Sequence, residues 1–328
     1  MKMINRWALI ILVMVFAFTF SNAQAKDLVP SKIRIIVPGG PGGGWDTTAR
    51  ETGKVLMQTK SIKNVTFQNI PGAGGGKGIK TLLNEGKGRN NLILVNSTPI
   101  LLRHLNGTFP ESFRDLTPIA GTIADYQALV VKADSPYKTL KDLGNAIKKN
   151  PGKIAIVGAS SPGSMDHLSA AMVFGADNIS WKSWNYVPAA KGGGDAMTML
   201  LASKHIAALS TGASEAVGLM KSGNVRILCV TSPKRIDSMP NIPTAMEQDF
   251  NSTFTNWRGF FGPATMSDEV RDAYAKKFGD IQKTSQWEAV RSRYGWANNF
   301  IPGADFYKFL ETEEKKMKTL LTEMGFIK

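Results

Sequence analysis

Five short stretches of this chain carry the residues best suited to hold a small anion: Gly39 to Gly44, Gly72 to Gly78, Asn96-Ser97-Thr98, Ser160 to Ser164, and Lys191 to Gly194. Each follows a short apolar run and precedes a helix-like segment. At such a place the first N–H groups of the helix have no intrahelical partner, and the helix dipole ends in partial positive charge. A carboxylate or phosphate fits there. Glycine, lacking Cβ, takes positive φ and lets a ligand approach the backbone. Any one of these glycine runs could equally be a tight turn with no other role. Five of them at the same place in successive units is the stronger signal, because folding could gather them at one cleft. Asp46 has the same two roles open to it. It could cap the following helix through the Ala49 or Arg50 N–H, or face the cleft and accept a donor from the ligand.

Enzyme chemistries do poorly against the same residues. A dinucleotide fingerprint needs G-x-G-x-x-G, but the register from Gly40 ends on Trp45, that from Gly42 on Thr47, and that from Gly72 on Lys77. Gly76-Lys77 resembles a phosphate-binding loop until Gly78, which stands where Ser or Thr should ligate magnesium. In "GASSPG" Pro162 replaces the second glycine of a nucleophile elbow. His104, His167 and His205 show no metal-ligand spacing, although His167 follows the serine turn and could edge a cleft. No catalytic set, metal site or cofactor site is expected.

The elements that must position these stretches alternate. "IRIIV" precedes the first glycine run and "TTARETGKVLMQT" follows it; "VTFQNI" and "IKTLLNEG" flank the second, and "NLILVNS" leads into "TPILLRHLNG". Strand followed by helix, repeated, predicts a parallel sheet wrapped by helices. A second set opens at "YQALVV" and continues through "KIAIVGASSPGSMDHLSAAMVF", "WNYVPAAKGGGDAMTMLLAS" and "VRILCVTS". Two lobes are expected, with crossings near residues 122 to 130 and 256 to 263, which together would make a hinge. "DEVRDAYAKKFGDIQ" and "ADFYKFLETEEKKMKTLLTEMG" read as amphipathic packing helices.

Lys2 and Arg6 precede an apolar stretch from Trp7 to Phe20 that ends in Ala23-Gln24-Ala25, a small-x-small cleavage pattern. Residues 1–25 therefore read as a secretory signal peptide, the apolar stretch being shorter than the ~20 residues of a membrane-spanning helix. Export to a Gram-negative periplasm is expected. The formal charge of +14 falls to +12 when Lys2 and Arg6 leave. The excess favours small anions over nucleic acid, since no block of five or more consecutive basic residues is present. The one cysteine, Cys229, lies in an apolar run and can form no internal disulfide, so it is expected in the core.

Taken together, "VPGGPGGGWDTTAR", "NIPGAGGGKGI", "VPAAKGGGDAMTMLL", "VRILCVTSPKR", "PNIPTAMEQ" and "NWRGFFGPA" resemble the successive motifs of the solute-binding receptors of tripartite tricarboxylate transporters, the Bug family. The resemblance runs in order over nearly the whole mature chain. It implies an α/β fold, a two-lobed periplasmic binding protein of type II, each lobe a mostly parallel sheet flanked by helices, with two hinge crossings. Lobe 1 would hold residues 26–127 and 258–328, and lobe 2 residues 128–257. It further implies a monomer without catalytic activity that closes on a small carboxylate, such as citrate, another tricarboxylate or a dicarboxylate, and delivers it to membrane permease subunits. Carried over by motif, the ligand would meet Pro38, Gly39, Gly40, Gly42, Gly43, Gly44 and Asp46 from one side. From the other it would meet Ser160, Ser161, Gly163, Ser164, Ala189, Lys191, Gly192, Gly193 and Asp195. The cleft-end turn Asn96, Ser97 and Thr98 completes the expected set. Ala189-Ala190 stands where many members carry an aromatic residue, so an aromatic wall of the pocket is expected to be missing. Two other functions fit an exported α/β chain with an anion site: an enzyme acting on an anionic substrate, and a sensor presenting its closed form to a membrane signalling partner.

Overall fold

A computed structural model describes residues 27–189 and 192–328. In the first half, β1 (Lys32–Val37), α1 (Gly44–Gln58), β2 (Asn64–Asn69), α2 (Gly76–Glu85), β3 (Leu92–Ser97) and α3 (Pro99–Leu105) follow one another before the long strand β4 (Leu116–Lys132). The second half contains α4 (Leu140–Lys149), β5 (Ala155–Gly158), α5 (Met165–Gly175), β6 (Asn185–Pro188), α6 (Gly193–Ala202), β7 (Ile206–Gly212), α7 (Ala213–Lys221) and β8 (Val225–Val230). The chain then returns through β9 (Thr255–Pro263), α8 (Asp268–Gln282), α9 (Ser285–Tyr294), β10 (Ala297–Pro302) and α10 (Gly303–Glu323).

The strand order is β2-β1-β3-β9-β4-β7-β5-β6, with β8 and β10 also paired to β4. The outer three strands of each half are parallel: β1 runs between β2 and β3, and β5 between β6 and β7. β4 and β9 enter antiparallel. The sequence explains why the strands read as unbroken apolar runs. Ile35 and Val37 pack into one core cluster while Ile36 packs into the cluster on the opposite face, and Ile93 and Val95 alternate with Leu92 and Leu94 in the same way. A strand buried on both faces needs apolar residues at every position. Ala128 and Val130 alternate with Leu129 and Val131 in the second half. Cys229 is fully buried there, and burial pushes its thiol up to about 12.

One strand serves both halves. Residues up to Tyr126 of β4 pair with β9, and from Gln127 onward β4 pairs with β7 and β8. The chain comes back at Thr255, which pairs with Tyr126. These are the two crossings, and the strands that make them lie side by side. The C-terminal segment adds a further link. Beyond α10, which packs on β4 and α3, Phe326 stacks on Trp181 at 4.9 Å and meets the ring of His167 at 5.1 Å. Leu102, Leu168, Phe254, Met317 and Leu321 form one buried cluster at this seam. Among the described residues no helix is long and apolar enough to cross a membrane.

Candidate functional site

The first glycine turn is braced before it reaches any cleft. Gly42 has φ +79°, and Gly43, extended at φ −76° and ψ 170°, precedes α1 as a cap position without a capping side chain. The Asp46 side chain does not cap the helix through the Ala49 or Arg50 N–H. Its buried carboxylate accepts the Gly42 N–H, the Arg50 Nε–H and an Asn69 Nδ2–H, each at 2.9 Å. Asn69 also donates to Gly39 O at 3.0 Å. Burial works to raise the Asp46 carboxyl, but the bonds from Arg50, Gly42 and Asn69 outweigh it and hold the group below the usual carboxylate range.

Trp45 ties three turns together. Its Nε1–H donates to Ser97 Oγ at 2.9 Å, and its ring fills the space that a Cβ would need at Gly39 and at Gly75. Pro38 is buried against Gly78, where a Cβ would come within 2.8 Å of the proline ring. Asn96, Ser97 and Thr98 are buried beneath, with Asn96 Oδ1 accepting the Ser97 N–H at 2.8 Å. The Thr98 hydroxyl is enclosed without a protein partner.

In the second half the serine turn rests on aromatic rings. Tyr186 donates its hydroxyl proton to Ser160 O at 2.6 Å and stacks on His167 at 4.4 Å. Gly163, at φ +72°, donates its N–H to His167 Nδ1 at 3.1 Å, so that nitrogen is unprotonated. Burial lowers the His167 pKa to about 4. Ser161 is exposed, whereas Ser164 starts α5 fully buried with its hydroxyl unpartnered. Ala189 is buried and bonded through its N–H to Gly158 O at 2.8 Å. Lys191 lies outside the described residues. Gly192, at φ +91°, precedes α6, whose first turn is Gly193, Gly194 and Asp195.

The halves meet around a cavity of about 460 Å³ walled by Gly42, Gly44 and Thr47 from the first and by Gly193, Gly194, Ser214 and Glu215 from the second. Of the expected residues, Gly42, Gly44 and Gly193 line this cavity. Gly39, Asp46, Asn96 and Ser97 stand behind the first turn as its supports, and Pro38 is packed behind Gly78. Gly40 leaves a Cβ open space and so is not required to be glycine by packing.

Five charged residues at this seam lay outside the expected set: Arg103, Asp125, Asp166, Glu215 and Arg258. Arg258 on β9 pairs with Asp125 on β4 at 2.5 Å, both nearly devoid of solvent. The guanidinium also donates to Gly44 O at 3.0 Å and Thr48 Oγ1 at 2.9 Å, so it anchors the first turn of α1. A Cβ at Gly44 would collide with it. Asp125 accepts a further bond from Ser214 at 2.7 Å. Its neighbour Glu215 accepts a short bond from Thr211, has the Gly44 amide within reach, and lies 2.6 Å from where a Cβ on Gly193 would stand. Burial raises the Glu215 carboxyl. Asp166 is raised to about 7, first by burial and then by Glu215. Arg103 is 6% exposed and its pKa is lowered by burial. Each was visible in sequence only as a lone charge within an apolar or small-residue run. Among the described residues no group of three or more His, Cys, Asp or Glu is placed to hold a metal ion.

With this geometry in place, comparison with known proteins is informative. A family model described as the tripartite tricarboxylate transporter family receptor matches residues 49–326. A UPF0065 protein of Bordetella pertussis is 28% identical over 316 residues, covering 93% of this chain and 93% of its own. A TctC solute-binding protein from Polaromonas superposes with a TM-score of 0.66 at 25% identity, over 89% of this chain and 98% of that one. A Rhodopseudomonas palustris protein whose structure holds malate superposes with a TM-score of 0.75 at 17% identity, over 88% and 98%.

Proposed function

The chain belongs to the tripartite tricarboxylate transporter receptor family, and we propose that it is a non-catalytic receptor that captures a small di- or tricarboxylate, such as citrate or malate, between its two halves. It then hands the solute to the permease subunits of the transporter. In this reading residues 1–25 direct export to the periplasm and are removed. The mature monomer closes about the paired strands β4 and β9, with lobe 1 formed by residues 26–127 and 258–328 and lobe 2 by residues 128–257.

The observation that carries this proposal is the cavity itself. Two helix starts rich in glycine face it from opposite halves, with Gly42 and Gly44 at α1 and Gly193-Gly194 at α6 in its wall. Both bring the positive end of a helix dipole to the same space; on the first side the Gly42 N–H is already held by Asp46 and the Gly44 amide by Glu215. A solute carboxylate placed there would bond to both halves at once, which makes the closed form the bound form. The malate in the fold relative from R. palustris supports a dicarboxylate of similar size.

Thermal-shift measurement of the purified chain against citrate, L-malate, succinate and adipate tests the proposal. A ligand that binds only the folded form at a hundredfold excess over Kd stabilises by about 2.7 kcal/mol, so the melting temperature should rise by several degrees. No shift with any di- or tricarboxylate contradicts it.

A further inference from the structure

The most demanding charged group at the seam is Arg103, on the last turn of α3. Among the described residues no acidic side chain forms an ion pair with it and no acceptor bonds to its guanidinium, whose Nε is fully enclosed. The other buried arginine of the seam, Arg258, is in contrast matched by Asp125 and two further acceptors. A buried cation without a counter-charge is costly, and such a group persists where something outside the polypeptide completes it.

Its surroundings say where that partner would come from. The guanidinium lies against Gly74, at φ +61° in the second glycine turn, where a Cβ would stand 3.0 Å from Nε. The Gly74 backbone packs directly on that side of the arginine, where a side chain would not fit. Tyr186 and Asp166 of the second half lie within electrostatic reach, and the neighbouring Leu102 packs with Leu168 of α5. Arg103 therefore sits where the halves meet, beside the serine turn. The Tyr186 hydroxyl proton is already committed to Ser160 O, and Asp166 is committed to Ser160 and the backbone N–H groups of Ala159 and Ser160. Ser164, two residues before Asp166, brings a second fully buried donor without a protein partner.

We propose that Arg103 receives a carboxylate of the bound solute at the seam between the Gly72–Gly75 turn and the serine turn, while the helix starts of α1 and α6 hold the solute's other end. The inference rests on the carboxylate-receptor function proposed above and sharpens it. The solute carries at least two acidic groups, one of them met by the planar fork of an arginine rather than by backbone alone.

Isothermal titration of the full mature chain with succinate, L-malate and citrate, and with the analogue of the tightest binder in which one carboxylate is an amide, tests this. Wild type should bind the amide about 30-fold more weakly than the acid, the worth of one charge-assisted bond. Arg103→Gln should bind the acid about 30-fold more weakly than wild type and distinguish acid from amide by less than about threefold. Arg103→Lys should keep the discrimination at reduced affinity. Without ligand, Arg103→Gln should melt no lower than wild type, because an uncompensated buried charge has been removed. Wild-type affinity in Arg103→Gln, or full discrimination retained by it, overturns the assignment while the receptor function stands. Should Arg103→Gln fail to fold, the wild-type comparison still decides, since equal affinity for acid and amide overturns the assignment. Failure of wild type to bind any of the three acids overturns both.

Discussion

The two halves repeat one strand-turn-helix pattern yet differ in how their buried charges are met. In the first, Asp46 is matched by three donors and Arg258 by Asp125, Gly44 and Thr48, so the turn before α1 is stiff on its own. In the second, Asp166 and Glu215 stand where burial raises their carboxyls, and the Ser164 hydroxyl has no partner. The exception in the first half, Arg103, lies within electrostatic reach of Tyr186 and Asp166 of the second. Two buried groups without a protein partner, the Arg103 guanidinium of the first half and the Ser164 hydroxyl of the second, thus fall at the seam. Preorganising one face of a site and leaving the other to be satisfied by ligand limits the cost of closing.

Substitutions can break or sharpen that contrast, and the largest effect is expected at the balanced pair. Arg258→Met leaves Asp125 buried and alone, which should cost about 3 to 5 kcal/mol in urea unfolding. Adding Asp125→Asn should recover most of the loss, since no charge is then stranded. Next comes Gly43→Val. The extended backbone there accepts a side chain, and a Cβ meets only Gly40 O at 3.6 Å. The melting temperature should therefore be unchanged while carboxylate affinity falls about a hundredfold, or 2.7 kcal/mol. Unchanged affinity would remove the first turn from the site.

In the second half the contrast should appear as pH dependence. Asp166 keeps its proton in the folded chain up to about 7 against an ordinary 3.8, so between those values the native state binds a proton that the unfolded chain has lost. Its contribution to stability falls as pH rises through that window. His167 has the opposite sign: between about 4 and 6.5 the unfolded chain binds the proton, and stability rises with pH. Relative to wild type, Asp166→Asn should gain up to about 1.4 kcal/mol per pH unit as pH is raised from 4 to 7, while His167→Gln should lose up to that slope between 4 and 6.5. Chemical denaturation across pH reads both. The smallest effect concerns Glu215, whose carboxylate stands where α1 and α6 begin. Glu215→Gln removes a like charge from the solute's path and should tighten carboxylate binding about tenfold, or 1.4 kcal/mol, by titration.

Much of this architecture was legible because its signals are local. Ile35 beside Ile36, or Val130 beside Val131, announces a strand covered on both faces, and a glycine run after it announces a helix start. The crossings were legible for the same reason, as apolar runs that resume after turn-rich segments. The charged seam was not legible in this way. Asp125 and Arg258 are 133 residues apart in sequence, and nothing around either names the other. Arg103 reads in "TPILLRHL" as the polar face of a helix, and only its contact with Gly74 shows that it points inward. Asp46 was expected at the site and Trp45 was not; the work of both as struts depends on Asn69 and Ser97, which arrive from other strands. The C-terminal link through Phe326 escaped because the helix before it is amphipathic in the ordinary way, and the rings it meets are contributed by the second half.

Equilibrium dialysis of the mature chain against radiolabelled citrate, malate and succinate tests the central claim most directly. Saturable uptake of one molecule per chain of at least one of them, recovered chemically intact and lost in Gly43→Val, is the predicted result. No saturable binding of any of these acids, or their conversion to another compound, would contradict it.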